Sequence, residues 1–201
     1  MTPSLIVWDF DGVLNRNVVD GRFIWADRLE ADLGIDQTAF SDFIFRSGRI
    51  RSIVRGDLDL RETVADWLIE TEHPSTAEDL LAYWFEKDAL PDPEVLSWLK
   101  AVPCRHVIGT NNEAHRASYI ETEMGFARHV ERVFSSGRMG VAKPERAFFE
   151  AITAWSGIPM TDTLLVDDSA ANVDAARALG WQAFHFTDES RADLKRLLRV
   201  E

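Results

Sequence analysis

One cysteine, Cys104, in 201 residues excludes an intrachain disulfide and any metal site built from several thiolates. It precedes the apolar run Val107-Ile108-Gly109, a setting that suits a buried structural thiol better than a nucleophile. Basic residues are also scarce: 22 Lys and Arg stand against 34 Asp and Glu, a net charge of −12. That balance argues against wholesale binding to nucleic acid or to anionic membrane, both of which need basic surface. It leaves room for a small anion, because one cation or metal reverses the sign inside a pocket. No apolar stretch is long enough to span a bilayer. The N-terminus has neither the basic region nor the long apolar region of a signal peptide, so a cytoplasmic location is expected. Internal repeats and low-complexity segments are absent too.

What is present alternates. Leu5–Trp8, Arg105–Gly109, Thr163–Asp167 and Gln182–Phe186 are short apolar runs that read as buried strands, with Glu131–Ser136 a weaker fifth. Helical patterns lie between the later ones: 113–124 stops at Gly125, 144–156 at Gly157, and 170–179 at Gly180. Glycine just past a helix is the usual left-handed terminator, and Pro144 suits a first turn. The fold class is therefore α/β, a Rossmann-like parallel sheet sandwiched by helices. The segment 15–91 breaks the rhythm. It carries helical patterns at 36–46, 60–71 and 77–87 with no convincing strand, and two capping boxes, Asp59 with Glu62 and Ser75 with Glu78. It reads as a helical domain inserted after strand one, with 1–14 and 92–201 forming the core, and Pro91-Asp92-Pro93 marking the return. Such an insert would lie over the carboxyl ends of the strands, where open parallel sheets bind ligands.

Four polar clusters fall at those ends: Asp9-Phe10-Asp11-Gly12, Gly109-Thr110-Asn111-Asn112, Lys143-Pro144 and Asp167-Asp168-Ser169. A parallel sheet gathers them into one crevice. Four carboxylates would then meet one lysine and two neutral hydrogen-bonding residues, Thr110 and Asn111. Two carboxylates one residue apart at the end of a buried strand are costly unless something offsets their repulsion. Hard oxygen donors with no histidine or cysteine among them suit Mg²⁺. A bound dication would also turn the site into an acceptor for an anion, with phosphate the natural candidate.

WDFDGVL, VIGTNN, GVAKPERAFFEAI and LLVDDSAANVDAARALGW together resemble the four ordered motifs of the haloacid dehalogenase-like hydrolase superfamily, and the insert sits where that family places its helical C1 cap. The resemblance covers the whole chain. It implies Asp9 as the nucleophile that forms an aspartyl-phosphate, a recognised covalent strategy. It implies Asp11 as the acid that protonates the leaving alcohol and then the base for water, Thr110 and Asn111 as phosphate-binding residues, and Lys143 as the cation that neutralises Asp9 and phosphate. Mg²⁺ would be held by the Asp9 carboxylate, the Asp11 backbone carbonyl, Asp168 directly, and Asp167 directly or through water. Within the superfamily, dehalogenases and phosphonate-cleaving members lack the acid two residues after the nucleophile. Asp11 therefore points to phosphate esters. The predicted cap also has a single lysine before Pro91, Lys87, which argues against Schiff-base chemistry.

The remaining residues allow two readings each. Asn112 reads as a cap for the helix beginning at Glu113 in preference to a catalytic group, and Ser169 as a cap for the helix beginning at Ala170. Asn172 and Asp174 would either orient the acidic pair or simply face solvent. Arg46, Arg49, Arg51 and Arg55 form a basic cluster that would either recognise a second anionic or sugar group or pair with nearby acids. Phe23 and Trp25 would line the entrance or join the core. The expected partner is a small phosphorylated metabolite, possibly a sugar phosphate, bound by a monomer or homodimer. A sugar phosphomutase and a non-catalytic phosphate-binding module are the alternatives.

Overall fold

Leu5–Trp8 (β1) has every side chain buried and lies at the centre of a five-stranded parallel sheet, as an unbroken apolar run should. A computed structural model describes residues 3–19 and 21–200 of the chain. Val18–Val19 (β2) and Arg22–Phe23 (β3) form a small antiparallel hairpin apart from the sheet. Arg105–Thr110 (β4), Val133–Ser135 (β5), Thr163–Asp167 (β6) and Gln182–His185 (β7) complete the sheet in the order β5-β4-β1-β6-β7. The order reverses about β1, which places a topological switch point at its carboxyl end.

Alternation along the strands divides the core in two. Ile6, Trp8, Ile108, Leu164 and Val166 face one layer of helices, and Leu5, Val7, Val107 and Leu165 face the other. The register sets Trp8 beside Ile108 on one flank and Val166 on the other. The α/β sandwich expected from the alternating pattern is what forms.

The described residues of segment 15–91 add no strand to the five-stranded sheet. They build a separate apolar cluster around Phe40, Trp67 and Trp84, in which the Trp25 and Trp84 rings stack with centroids 4.3 Å apart. The chain leaves and re-enters the sheet through a backbone staple: Arg16 N–H donates to Leu90 C=O at 2.7 Å, and Asp92 N–H to Leu14 C=O at 2.8 Å. Helix Pro93–Ala101 starts there, its cap Asp92 accepting from Glu94 and Val95 N–H.

Several local expectations need correction. The hairpin β2–β3 lies in a segment expected to hold no strand; two-residue strands are too short to show a period. Thr76, not Ser75, caps helix Ala77–Lys87, accepting from Asp79 N–H. The Lys143–Pro144 peptide is cis and the helix begins at Arg146, so Pro144 is not in its first turn. The pattern at 36–46 is an α-helical turn, Gln37–Ser41, passing into a π-helical turn, Asp42–Arg46.

Candidate active site

Asp9, Thr110 and Asp167 are the residues at the carboxyl ends of β1, β4 and β6, so the register alone brings them side by side. Asp9 N–H donates to Val166 C=O at 2.8 Å, which pins it to β6. Its Oδ1 accepts from the following N–H, that of Phe10, at 2.7 Å. Gly12 closes the turn at φ +77°, and a Cβ built there would lie 2.8 Å from Cγ of Asp168. Only glycine fits both the backbone angle and that approach.

Lys143 arrives from the loop before helix Arg146–Ser156. Asn111 holds it in place: its Nδ2 donates to the Lys143 C=O and its Oδ1 accepts from the Lys143 N–H, both at 2.9 Å. The buried Nζ then bridges Asp9 Oδ1 at 2.8 Å and Asp167 Oδ2 at 2.7 Å. Burial works against the ammonium, but Asp9 and Asp167 outweigh it and hold its pKa above the ordinary lysine value. Asp9 is pushed well above the carboxylate range by burial and by the charge of Asp167, with Lys143 opposing. Burial and Asp167 likewise raise Asp168.

Asp167 is bonded through both carboxylate oxygens. Its second oxygen accepts from Ser169 N–H and from Asn172 Nδ2, each at 2.9 Å. Asn172 therefore orients the acidic pair, whereas Asp174 is exposed and faces Arg177. Ser169 occupies the cap position of helix Ala170–Ala178 but makes no side-chain cap bond, contrary to expectation.

Asp11 stands on the other side of the turn under three amide groups. Asn17 Nδ2 lies 2.7 Å and Asn15 Nδ2 3.3 Å from its Oδ1, and Asn112 Nδ2 lies 2.8 Å from its Oδ2. Asn112 also donates to Thr110 Oγ1 at 2.8 Å. The cap of helix Ala114–Glu121 is Glu113, so Asn112 serves the site and not the helix end.

Behind Asp11 lies a pair that sequence reading missed. Asn17 Nδ2 is 2.8 Å from Asp88 Oδ1 as well as bonded to Asp11, and Asp88 pairs with the buried Arg116 at 2.9 Å. Burial and the nearby Asp11 charge lift Asp88 to about 7, against the pull of Arg116 and Asn17. The only sequence hint was position, since Asp88 follows a helix at the return to the core.

Cys104 takes no part; burial pushes its thiol up to about 11. The Arg46–Arg55 cluster divides its contacts: Arg46 pairs with Asp42, Arg49 covers the Phe43 ring, and Arg55 bonds Glu145. Phe23 and Trp25 line a cavity that reaches Asp11, Asn111 and Asn112.

Carboxylate oxygens of Asp9, Asp167 and Asp168 all lie within 4.8 Å of one another. Three acids share one lysine, and every donor is a hard oxygen. That set fits a divalent cation such as Mg²⁺.

A Rossmann-like sheet whose central strands end in an acidic, lysine-bridged crevice defines an α/β protein of the hydrolase type. The haloacid dehalogenase-like hydrolase family model matches residues 3–180, and the chain belongs to that family. A phosphoglycolate phosphatase from Pseudomonas syringae pv. tomato is 25% identical over 186 residues, 89% of this chain and 67% of that protein. A drimenol cyclase, drtB of Aspergillus calidoustus, is 38% identical over 66 residues, 32% of this chain; the match spans only 12% of the cyclase. Among solved structures, a family enzyme of Bacteroides thetaiotaomicron in complex with magnesium and inorganic phosphate superposes with a TM-score of 0.78 at 18% identity, covering 96% of this chain and 98% of that one. No helix of the described residues is long and apolar enough to cross a membrane.

Proposed function

We propose that this protein is a Mg²⁺-dependent phosphatase that hydrolyses a small organic phosphate monoester through an aspartyl-phosphate. The observation that carries the reading is the division of labour between Asp9 and Asp11. Asp9 is buried and clamped by Lys143, while two residues on Asp11 is held by three amides at the edge of a cavity. The relatives agree with it, one being a phosphatase and another a structure with magnesium and phosphate bound.

In the first half-reaction an Asp9 carboxylate oxygen attacks phosphorus, the bond to the ester oxygen breaks, and Asp11 gives that oxygen its proton. In the second, Asp11 takes a proton from water as the water attacks the same phosphorus. Inorganic phosphate leaves and Asp9 is restored. Lys143 keeps Asp9 aligned and offsets charge on the phosphoryl oxygens, and the Thr110 hydroxyl donates to one of them. Asn111 spends its side-chain amide on the Lys143 backbone, so it acts by placing the lysine. Mg²⁺, held by Asp9, the Asp11 carbonyl and Asp168, with Asp167 direct or through water, would supply further charge neutralisation at the phosphoryl group. Residues 15–91 serve as the cap, with the core at 1–14 and 92–201, and cover the crevice during transfer.

Asp9→Asn is expected to lower phosphate release from an aryl phosphate by at least about 10³-fold while leaving the circular dichroism spectrum unchanged. Wild-type turnover in that variant overturns the mechanism. Chelation of Mg²⁺ is expected to abolish turnover and added Mg²⁺ to restore it; full activity in chelator overturns the metal assignment.

A further inference from the structure

The cavity beside Asp11 has an unusual wall for a site expected to take a sugar phosphate. Its volume is about 160 Å³, and Phe23, Trp25, Phe45, Ile50, Val54 and Trp84 form one side of it. All six belong to the helical segment. Facing them from the core are Asn111, Asn112 and Arg116. Phe23 is 43% exposed, a large ring left at the surface where the wall begins.

Most hydrogen-bonding capacity on this wall is already committed. The Asp88 carboxylate is taken by Arg116 and Asn17, and the Glu113 carboxylate by the N–H groups of His115 and Arg116. Arg116 Nε has no partner among the described residues but is closed off from the cavity. Among the described residues that line it, Arg116 is the one cation. Its terminal nitrogens donate to the Phe85 C=O at 3.0 Å and the Asp88 C=O at 3.1 Å, and they pair with the Asp88 carboxylate. Its guanidinium lies against the rings of Phe85 and Tyr119. Asn111 is spent on Lys143, and Asn112 on Asp11 and Thr110. Arg46, Arg49, Arg51 and Arg55, the cluster that could have read a second anion, are not part of the wall. A sugar's hydroxyls or a second carboxylate would lose water here and find few open partners, and no free cation among the described lining residues.

Asp11 fixes which part of a substrate lies in this cavity. It is the acid that protonates the leaving oxygen, and it lines the cavity itself. Resting on the phosphatase reading above, we infer that the cavity is the leaving-group site and that the substrates are phosphate monoesters of apolar alcohols. The volume matches one ring or a short branched chain, since a cavity of about 150 Å³ lined by aliphatic and aromatic side chains holds benzene.

Four phosphates on the full-length, Mg²⁺-loaded protein test this: benzyl phosphate, glucose 6-phosphate, phosphoglycolate and acetyl phosphate. Benzyl phosphate is expected to show kcat/KM at least about tenfold above glucose 6-phosphate and phosphoglycolate. Val54→Asp and, at the exposed edge, Phe23→Ala are each expected to lower the ratio of benzyl phosphate to acetyl phosphate turnover, Val54→Asp by about tenfold. Benzyl alcohol is expected to quench tryptophan fluorescence in the wild type and less so in either folded variant, a readout that needs no turnover. Equal or faster hydrolysis of glucose 6-phosphate or phosphoglycolate overturns the inference and leaves the phosphatase reading standing. So does an unchanged benzyl-to-acetyl ratio in both variants. No phosphate from any of the four overturns the phosphatase reading and this assignment with it.

Discussion

Asn112 shows how much depends on one amide. It ties Asp11 to Thr110, and so links the proposed proton donor to the proposed phosphate ligand. Asn112→Ala is expected to lower kcat by about 10- to 100-fold with little change in KM, because Asp11 loses its alignment. A drop confined to KM would contradict that role. Gly12→Ala would drive a methyl group against Asp168 at a left-handed backbone position. It is expected to weaken Mg²⁺ binding by at least about tenfold in titration calorimetry; unchanged affinity would remove Asp168 from the ligand set. His106 offers a pH test away from the site. Its Nδ1 accepts from the Trp8 indole N–H at 3.1 Å, and its Nε2 lies 2.9 Å from the Val102 carbonyl, an arrangement that needs the neutral ring. Burial lowers its pKa, with the Val102 bond and Glu131 opposing. The unfolded chain therefore takes up the proton first as pH falls, and this contribution, complete well above about pH 6.5, is lost below it. Between about pH 7.5 and 5.5 the urea midpoint of the wild type is expected to fall more than that of His106→Gln; equal slopes would refute the assignment.

The secondary elements were legible where they were long and apolar. All five sheet strands lie within or close to the runs read from sequence, β1 and β6 most plainly because every residue in them is buried, whereas the edge strand β7 is half-exposed and shows through its flanking turn signals. The short pieces of the helical segment were not, since a five-residue turn or a two-residue strand shows no period. Helix ends depended on which hydroxyl or carboxylate turned inward, which is why Thr76 and Glu113 displaced Ser75 and Asn112 as caps. Asp92 joins this level to the next. It caps helix Pro93–Ala101 and, fully buried, pairs with Arg191 at 2.8 Å. Asp92→Ala is expected to cost about 2 kcal/mol in chemical denaturation, because the helix loses its cap and the half-buried Arg191 loses its one buried partner, keeping only the exposed Glu94 and Asp188. A loss under about 1 kcal/mol would mean that the pair is already solvated.

Across the whole molecule, the helical segment meets the core through a backbone staple, the buried Asp88–Arg116 pair beside it, and more exposed pairs. The staple at residues 14–16 and 90–92 is backbone and fixed in place. Farther out, Arg55 bonds Glu145 and His115 lies 2.9 Å from Asp59, all of them partly exposed. Exposed pairs contribute little, so Arg55→Ala is expected to change stability by less than about 1 kcal/mol. If those pairs hold the segment over the crevice, the same substitution raises KM and makes it less sensitive to salt; an unchanged KM at low and high salt would exclude this role. The acidic residues, the lysine and the order of the four polar clusters follow from the sequence alone, because a parallel sheet brings its strand ends together and buried carboxylates gathered there need a compensating cation. The sequence could not tell how side-chain amides would be shared. Asn111 went to the Lys143 backbone, Asn112 and Asn17 went to Asp11, and Asp88 joined the site from 77 positions down the chain. Nor could it tell that the arginine cluster would stay outside an aromatic-walled cavity. Those outcomes depend on distances between residues far apart in the chain, which only the packed structure sets.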